Sequence, residues 1–175
     1  MEMLGAENLV IRPAADEERA DPSLPPAELV KALAAHKARE VAASADADDA
    51  VIAADTIVYI DGRVCGKPRS EEEAAQMLRT LSGRTHEVFT GVCVIRGGRE
   101  LCRADRSAVT FRSLSDGEIE RYIASGEPMD KAGAYGAQGR GALFVERIDG
   151  DFFNVMGLPL CLLGEMLKEQ GVELL

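Results

Sequence analysis

Strand-like and helix-like segments alternate along this chain, but hairpin signals interrupt the alternation, and this order restricts the fold most. The runs Val51–Ala54 and Ile57–Ile60 are short and apolar, as in buried strands. Asp61-Gly62 then predicts a tight hairpin that returns through Arg63–Cys65. A second pair of strand-like runs meets at Gly97-Gly98. Hairpin-paired strands separated by helices predict an α/β protein with a mixed, twisted sheet flanked by helices.

The remaining elements are predicted from local start and stop signals, which are prolines, capping boxes and glycines. The predicted strands lie at 9–11, 86–96, 99–112 and 142–148, with a loop at 12–24, an acidic turn at 46–49, and helices from Pro25 to about Ser44, from Ser70 to about Leu81, from Ser115 to Ala124 and from about Pro159 to Gln170. A length of 175 residues is typical of one domain or of a compact pair of lobes. We therefore treat residues 1–175 as a single domain.

The overall charge bears on the partners of this chain. A formal net charge of −10 repels polyanions, which argues against a nucleic acid polymer as partner. A small phosphorylated ligand remains possible, because a few lysines and a divalent cation can create a locally positive site. The sequence shows no signal peptide and no apolar run long enough to cross a membrane, which predicts a cytoplasmic protein. Its four cysteines form no C-x-x-C pair, which predicts reduced and mostly buried thiols.

The segment from Asp130 to Gly139 combines a carboxylate, an ammonium, an amide and three glycines within ten residues. Such a run forms neither a good helix nor a good strand, so we expect a shaped loop. Glycine lets the backbone approach a ligand closely, while Asp130, Lys131 and Gln138 supply groups for a charged, hydrogen-bonding molecule. The alternative is a flexible connector. No Walker A loop and no dinucleotide-binding glycine motif is present.

Outside that segment, Asp55 is the strongest candidate for a functional carboxylate. It follows an apolar run directly, and α/β proteins place ligand sites at the ends of strands; the alternative is an aspartate that caps a turn. Thr56 adds a hydroxyl beside it. Lys67 lies on a turn restrained by the following proline, where a lysine can meet a phosphate or simply be solvated. Lys37 lies on the apolar face of a predicted helix. Either its ammonium group faces a cleft, or its aliphatic stem simply covers the core.

The roles of one glutamate and of the two histidines are less specific. Glu17 can ligate a metal or belong to a solvated acidic loop. His86, at the start of a strand, is expected to be structural or to hydrogen-bond a turn, and His36 is expected at a helix surface or edge.

Five motifs, in order and spread over nearly the whole chain, carry a resemblance to a known family. They are Ala54-Asp55-Thr56-Ile57-Val58, Gly66-Lys67-Pro68, Leu81-Ser82-Gly83-x-x-His86-x-Val88, Gly126-Glu127-Pro128-x-Asp130-Lys131-Ala132-Gly133-Ala134-Tyr135-Gly136-x-Gln138-Gly139, and Asn154-Val155-x-Gly157-Leu158-Pro159. Together they resemble the Maf family of nucleoside triphosphate pyrophosphatases. Asp55-Thr56 together with Gln138 resembles the subgroup that acts on dTTP and UTP.

The resemblance implies cleavage of a nucleoside triphosphate between its α- and β-phosphates, which yields a monophosphate and pyrophosphate. It also implies a divalent cation (Mg²⁺ or Mn²⁺), a cytoplasmic homodimer, and a mixed α/β fold with a cleft between two lobes. The residues that it implies are Asp55 for catalysis, Glu17, Asp55 and Asp130 for the metal, Lys37, Lys67 and Lys131 for the phosphates, and Thr56 and Gln138 for the base.

Elementary chemistry agrees with these implied roles. A divalent cation neutralises phosphate charge and lowers the pKa of bound water. Asp55 then either accepts the proton of that water or binds the metal, and both roles remain open. Gln138 offers an amide N–H and a carbonyl to the O4 and N3–H of uracil or thymine, although a flipped amide suits cytosine.

The resemblance is weakest at the N-terminus. Family members begin with a strand and a Ser-x-Ser-Pro-Arg-Arg-like loop, whereas Met1–Gly5 resembles the last turn of the helix that follows that loop. We therefore expect the strand and loop to be lacking and the activity to be impaired. Two other functions stay open. One is a non-catalytic nucleotide-binding or division-regulating protein. The other is an inosine triphosphate pyrophosphatase, which Thr56 and Gln138 disfavour.

Overall fold

The computed structural model describes residues 9–14 and 20–174, and these contain five α-helices and five strands. In chain order they are α1 (Pro26–Ala42), β1 (Val51–Ile60), β2 (Arg63–Cys65), α2 (Glu71–Leu81), β3 (Thr85–Arg96), β4 (Arg99–Phe111), α3 (Asp116–Ile123), β5 (Val145–Asp149), α4 (Phe152–Val155) and α5 (Leu160–Glu169). Short 3₁₀ turns at Glu127–Asp130, Ala132–Ala134 and Gly139–Phe144 fill the stretch between α3 and β5.

The strands form one five-stranded sheet in the order β2-β1-β3-β4-β5. The β1–β2 pair is antiparallel and places Ile60 opposite Arg63. Its turn residues Asp61 and Gly62 have φ values of 52° and 76°, the left-handed conformations that a two-residue hairpin requires. The β4–β5 pair is also antiparallel. Strands β3 and β4 are neighbours in the sheet, and Gly97-Gly98 joins them. Both predicted hairpins, at Asp61-Gly62 and at Gly97-Gly98, and the predicted α/β class, a sheet with flanking helices, are confirmed.

The chain divides into two compact units, and β1, β3 and β4 contribute residues to both. The first unit comprises the described residues up to Asp55, Gly91–Ala104, and the described residues from Leu160 onward. Helix α1 begins at Pro26, where proline costs no intrahelical hydrogen bond. A Cβ on Gly91 would lie 2.2 Å from the carbonyl oxygen of Val30, so only glycine allows β3 to approach α1 this closely.

The second unit comprises Thr56–Thr90 and Asp105–Pro159. Its buried apolar residues come from β1, β3, β4, α2, α3 and the stretch between α3 and β5. The predicted capping box of α3 is confirmed, because the Ser115 side chain accepts from the Glu118 N–H and the Glu118 carboxylate accepts from the Ser115 N–H, the latter at 2.9 Å. At α2 only half of the box forms. Ser70 caps the Glu73 N–H, but the Glu73 carboxylate accepts from the N–H of Arg69.

The predictions for residues 9–11 and for the start of β5 are wrong, and one helix was not predicted. Residues 9–11 form no strand; Ile11 is 84% exposed, and three apolar residues without alternation specify no buried face. Strand β5 begins at Val145 rather than 142, because the preceding residues form 3₁₀ turns. Helix α4, which Asp151 caps, was not predicted from the sequence. The predictions for Met1–Gly5 and Glu17 fall outside the described residues.

The cysteines only partly match expectation. All four lie in the described part of the chain and none forms a disulfide, but only Cys93 is buried, while Cys161 is exposed. The single-domain assignment and the cleft between lobes stay predictions. Among residues 9–14 and 20–174, no helix combines the length and apolar character that a membrane span requires.

Candidate active site

Asp55 and Thr56 lie inside β1 rather than at its end, which corrects the prediction of a strand that stops at this pair. The strand continues because both polar side chains find partners. Lys37 of α1 donates from Nζ to Asp55 Oδ1 at 2.5 Å, and only 11% of the Asp55 side chain is exposed. Burying a carboxylate is costly unless it is paired. The structure therefore brings Lys37 and Asp55 together, and each serves as a counter-ion of the other.

Thr56 belongs to a hydrogen-bonded chain within the second unit. Its Oγ1 lies 2.8 Å from Oγ1 of Thr90, and Thr90 donates to the carbonyl oxygen of Asn154 at 2.8 Å. A hydroxyl has one proton. Since the Thr90 proton goes to Asn154, Thr56 must donate to Thr90. Only the acceptor lone pairs of Thr56 remain for another partner.

Asn154 anchors this chain from a fully buried position. Its Nδ2 donates to Ser107 Oγ at 2.9 Å and to the Val88 carbonyl at 3.1 Å. Gly157 follows with a φ of 101°, and a Cβ there would lie 3.2 Å from Thr56 Oγ1. The Asn154-to-Gly157 motif thus fixes both the orientation and the surroundings of the Thr56 hydroxyl.

Lys67, Asp130 and Lys131 form a charged group in the second unit. The Gly133 N–H donates to the Gly66 carbonyl at 3.0 Å, which holds the glycine segment against the turn that carries Lys67. Lys131 Nζ donates to Asp130 Oδ1 at 2.7 Å, and the Asp130 side chain is 76% exposed. The hydrogen bond from Lys131, reinforced by the charges of Lys131 and Lys67, holds the pKa of Asp130 below its ordinary value. Two ammonium groups beside an exposed carboxylate suit a metal-bound polyphosphate.

Gln138 is exposed on a segment that Glu127 holds in place. The Glu127 carboxylate accepts from the Tyr122 hydroxyl at 3.0 Å and from the N–H groups of Arg140 and Gly141 at 3.1 Å each. Burial raises the pKa of Glu127, but these hydrogen bonds outweigh it and the pKa lies below its ordinary value. Sequence reasoning assigned no role to Glu127, although a charged residue between a glycine and a proline was the available signal.

His86 supports the other side of the glycine segment. Its Nε2 lies 2.8 Å from the Tyr135 hydroxyl, and its ring packs edge-on against Phe111 and Tyr135. The side chain is buried, and burial lowers the pKa of His86 to about 4. This matches the structural role expected for His86. His36 is half-buried on α1, also as expected.

Two of the implied metal ligands, Asp55 and Asp130, lie among the described residues. Among residues 9–14 and 20–174, neither Asp55 nor Asp130 belongs to a group of three close ligand side chains. Both nevertheless offer carboxylate oxygens, the donors that Mg²⁺ and Mn²⁺ prefer, and Mg²⁺ commonly takes only one or two carboxylates besides substrate phosphates and water. Each of the two carboxylates is therefore a donor of the type that such a cation takes.

Comparison with known proteins gives a consistent result. The family model described as Maf-like protein matches residues 1–170. A dTTP/UTP pyrophosphatase from Moorella thermoacetica is 54% identical over 165 residues, which is 93% of this chain and 84% of that protein. One from Dictyoglomus thermophilum is 47% identical over 98% of this chain and 90% of that protein. One from Thermococcus kodakarensis is 52% identical over 86% of this chain and 79% of that protein. This chain therefore belongs to the Maf family.

Proposed function

We propose that this protein hydrolyses dTTP and UTP to the nucleoside monophosphate and pyrophosphate, as a nucleoside triphosphate diphosphatase. The observation that carries the proposal is the name shared by relatives that match most of the chain, at 54% and 47% identity for the Moorella and Dictyoglomus proteins. Three features of the described residues support it: the Asp55–Lys37 pair, the cationic group around Asp130, and the oriented Thr56 hydroxyl.

Asp55 is the catalytic carboxylate in this proposal. It accepts a hydrogen bond from Lys37 and is proposed either to accept a proton from water or to bind a metal. Asp130 and Glu17 are the other metal ligands that the family resemblance implies. Mg²⁺ or Mn²⁺ bound there would neutralise phosphate charge and lower the pKa of bound water.

Lys67 and Lys131 are the proposed phosphate-binding residues, with Lys37 as a third by resemblance. Hydrolysis leaves negative charge on the departing pyrophosphate, and fixed ammonium groups stabilise that charge in the transition state. The hydrogen bond between Gly133 and Gly66 keeps the segments that carry Lys67 and Lys131 together, which supports the proposal that both lysines contact the same phosphates.

In this proposal the protein distinguishes the pyrimidine bases by whether N3 of the base donates or accepts a hydrogen bond. Thymine and uracil carry a proton on N3, whereas cytosine has a lone pair there. Thr56 donates to Thr90 and therefore presents only acceptor lone pairs, which suits N3–H and not the cytosine N3. Gln138 is proposed to pair through its amide with the O4 edge. A homodimer in the cytoplasm, which the family resemblance implies, is part of the same proposal and is tested by the molecular mass in solution and by cell fractionation.

The decisive experiment is pyrophosphate release from a panel of nucleoside triphosphates with Mg²⁺ or Mn²⁺. We expect dTTP and UTP to be the best substrates. Asp55→Asn should lower turnover by about 10²-fold or more, since it removes the carboxylate at the reacting centre. Asp149→Asn, which changes an aspartate with a 77% exposed side chain, is the matched control.

Two results would count against the proposal. Full turnover in folded Asp55→Asn, judged by circular dichroism, would refute the catalytic role of Asp55. Binding of dTTP without release of pyrophosphate by the unmodified protein would instead support a non-catalytic nucleotide-binding protein.

A further inference from the structure

A second group of ligand side chains lies in the first unit, among residues that the proposed reaction does not use. Cys93 on β3 and Cys102 on β4 stand beside Glu100, and their ligand atoms all lie within 4.8 Å of one another. Cys102 Sγ lies 3.6 Å from Glu100 Oε1. The two cysteines are separated by eight residues in sequence, and the β3–β4 hairpin brings them together. A search for closely spaced cysteine pairs in the sequence does not detect this arrangement.

The spacing suits a tetrahedral metal ion. Zinc binds sulfur at about 2.3 Å and carboxylate oxygen at about 2.0–2.2 Å, so adjacent ligand atoms of a tetrahedral site lie roughly 3.5–3.8 Å apart. The distance from Cys102 Sγ to Glu100 Oε1 already falls in this range. A metal ion would thus require only small side-chain movements.

We propose that Cys93, Cys102 and Glu100 form a binding site for Zn²⁺ or a similarly thiophilic divalent cation, with a fourth position left to water. The proposal is independent of the pyrophosphatase reaction. Thiolate ligands disfavour Mg²⁺ and Mn²⁺, so this site and the proposed catalytic site select different metals.

The surroundings support both formation of the site and entry of the ion. Cys93 is fully buried in the cluster formed with alanines of α1, which keeps its thiol fixed. Cys102 is half-buried and Glu100 is exposed, so an ion can enter from their side.

Arg39 completes the charge balance. Its guanidinium donates to both Glu100 oxygens, at 2.6 and 2.7 Å, and 64% of its side chain is exposed. One oxygen of Glu100 can turn to the metal while Arg39 keeps the other, which is a common supporting arrangement for a ligating carboxylate. Two thiolates and one carboxylate exceed the charge of a divalent cation by one, and the guanidinium offsets that excess.

Binding must displace protons. Burial raises the pKa of the Cys93 thiol and that of the Cys102 thiol, so both are protonated at neutral pH without metal. Each metal–sulfur bond then forms as a thiol releases its proton to solvent, without any change in oxidation state. A disulfide between the two residues would require an oxidant and would remove both ligands.

Cobalt(II) is the probe that tests the site, because its spectrum reports the ligands. The reduced protein, with four free thiols confirmed by titration, is titrated with Co²⁺ and then with Zn²⁺. We expect one equivalent of Co²⁺ to produce a thiolate-to-cobalt charge-transfer band and tetrahedral visible bands, and Zn²⁺ to abolish both. Cys93→Ser and Cys102→Ser should each remove at least half of the charge-transfer intensity, because each variant removes one of the two thiolate ligands.

Glu100→Gln should weaken binding by about tenfold or more, since even a residue that only supports a metal ligand contributes that much. Cys161→Ser, at the exposed cysteine, is the matched control and should bind Co²⁺ as the unmodified protein does.

Absence of a charge-transfer band in the reduced protein would overturn the proposal. So would a band that keeps its full intensity in Cys102→Ser, or one that Cys161→Ser removes. Cys102 and Glu100 are not fully buried, so their variants decide the question even if Cys93→Ser fails to fold.

Discussion

The hydroxyl of Thr90 offers a sharp test of how the base is read, because it touches Thr56 but is itself fully buried. Thr90→Val keeps the shape of the side chain and removes its hydroxyl. Thr56 then loses the acceptor that fixes its proton. The freed Thr56 hydroxyl can rotate to donate as well as accept, so it can pair with the cytosine N3 as well as with N3–H.

The expected losses of stability and of base specificity follow from the hydrogen bonds that the substitution removes. Thr90→Val removes the hydrogen bond that Thr90 donates to Asn154 and the one that it accepts from Thr56. The Asn154 carbonyl still accepts a hydrogen bond from the N–H of Gly157 at 3.0 Å. No buried carbonyl is left unpaired, so the free energy of unfolding should fall by about 1–2 kcal/mol. One hydrogen bond of about 1 kcal/mol that discriminates between bases corresponds to roughly a fivefold change in specificity.

The assay compares kcat/KM for dTTP and dCTP in the unmodified protein and in Thr90→Val. We expect the dTTP preference to fall about fivefold, mainly through a gain in dCTP turnover. Thr110→Val is the matched control, because Thr110 forms a similar hydroxyl pair with Thr85, at 2.9 Å, on an exposed part of the sheet. An unchanged dTTP preference in Thr90→Val, or an equal change in the control, would refute the reasoning.

Two further predictions concern the support of the glycine segment. Glu127→Gln turns an amide N–H toward a backbone N–H that donates to the carboxylate in the unmodified protein. We expect the free energy of unfolding in urea to fall by about 1–3 kcal/mol and the KM for dTTP to rise. Glu146→Gln, at an exposed residue, is the control and should change neither quantity. The pKa of His86 in the folded protein is about 4, below its ordinary value of 6.5, so the unfolded chain takes up the proton first as the pH falls. The contribution of His86 to the free energy of unfolding is therefore fully present above pH 6.5, and about 3 kcal/mol of it is lost as the pH drops to 4. An equally steep loss in His86→Gln would exclude His86 as the cause.

Much of the fold was predictable because its signals are local. Asp61-Gly62 specifies its hairpin through backbone conformations that few other residues adopt, and Pro26 marks the start of α1. The run at Leu9–Ile11 shows the limit of local reasoning. Its apolar residues favour a strand, but a strand forms only where a neighbour pairs with it, and the described residues place this run in exposed coil.

The supporting residues of the candidate site were not predictable in the same way. Glu127 acts through N–H groups more than ten residues further along the chain, and Cys93 meets Cys102 only because a hairpin folds between them. Such partners are determined by tertiary structure. The motif residues Asp130, Lys131 and Gln138 were identified because glycines around them signal a shaped loop, whereas Glu127, which holds that loop, has no local signal of comparable strength.

Asp55 and Thr56 show how the strand itself becomes part of the site. Two consecutive residues of an extended strand point to opposite faces of the sheet. Asp55 pairs with Lys37 of α1, and Thr56 joins the chain that runs through Thr90 to Asn154. A slip of β1 by one residue would exchange these environments and leave a carboxylate where a neutral acceptor is required. The apolar residues on both sides of the pair therefore do more than fill the core: by fixing the register of β1, they assign one role to each polar residue.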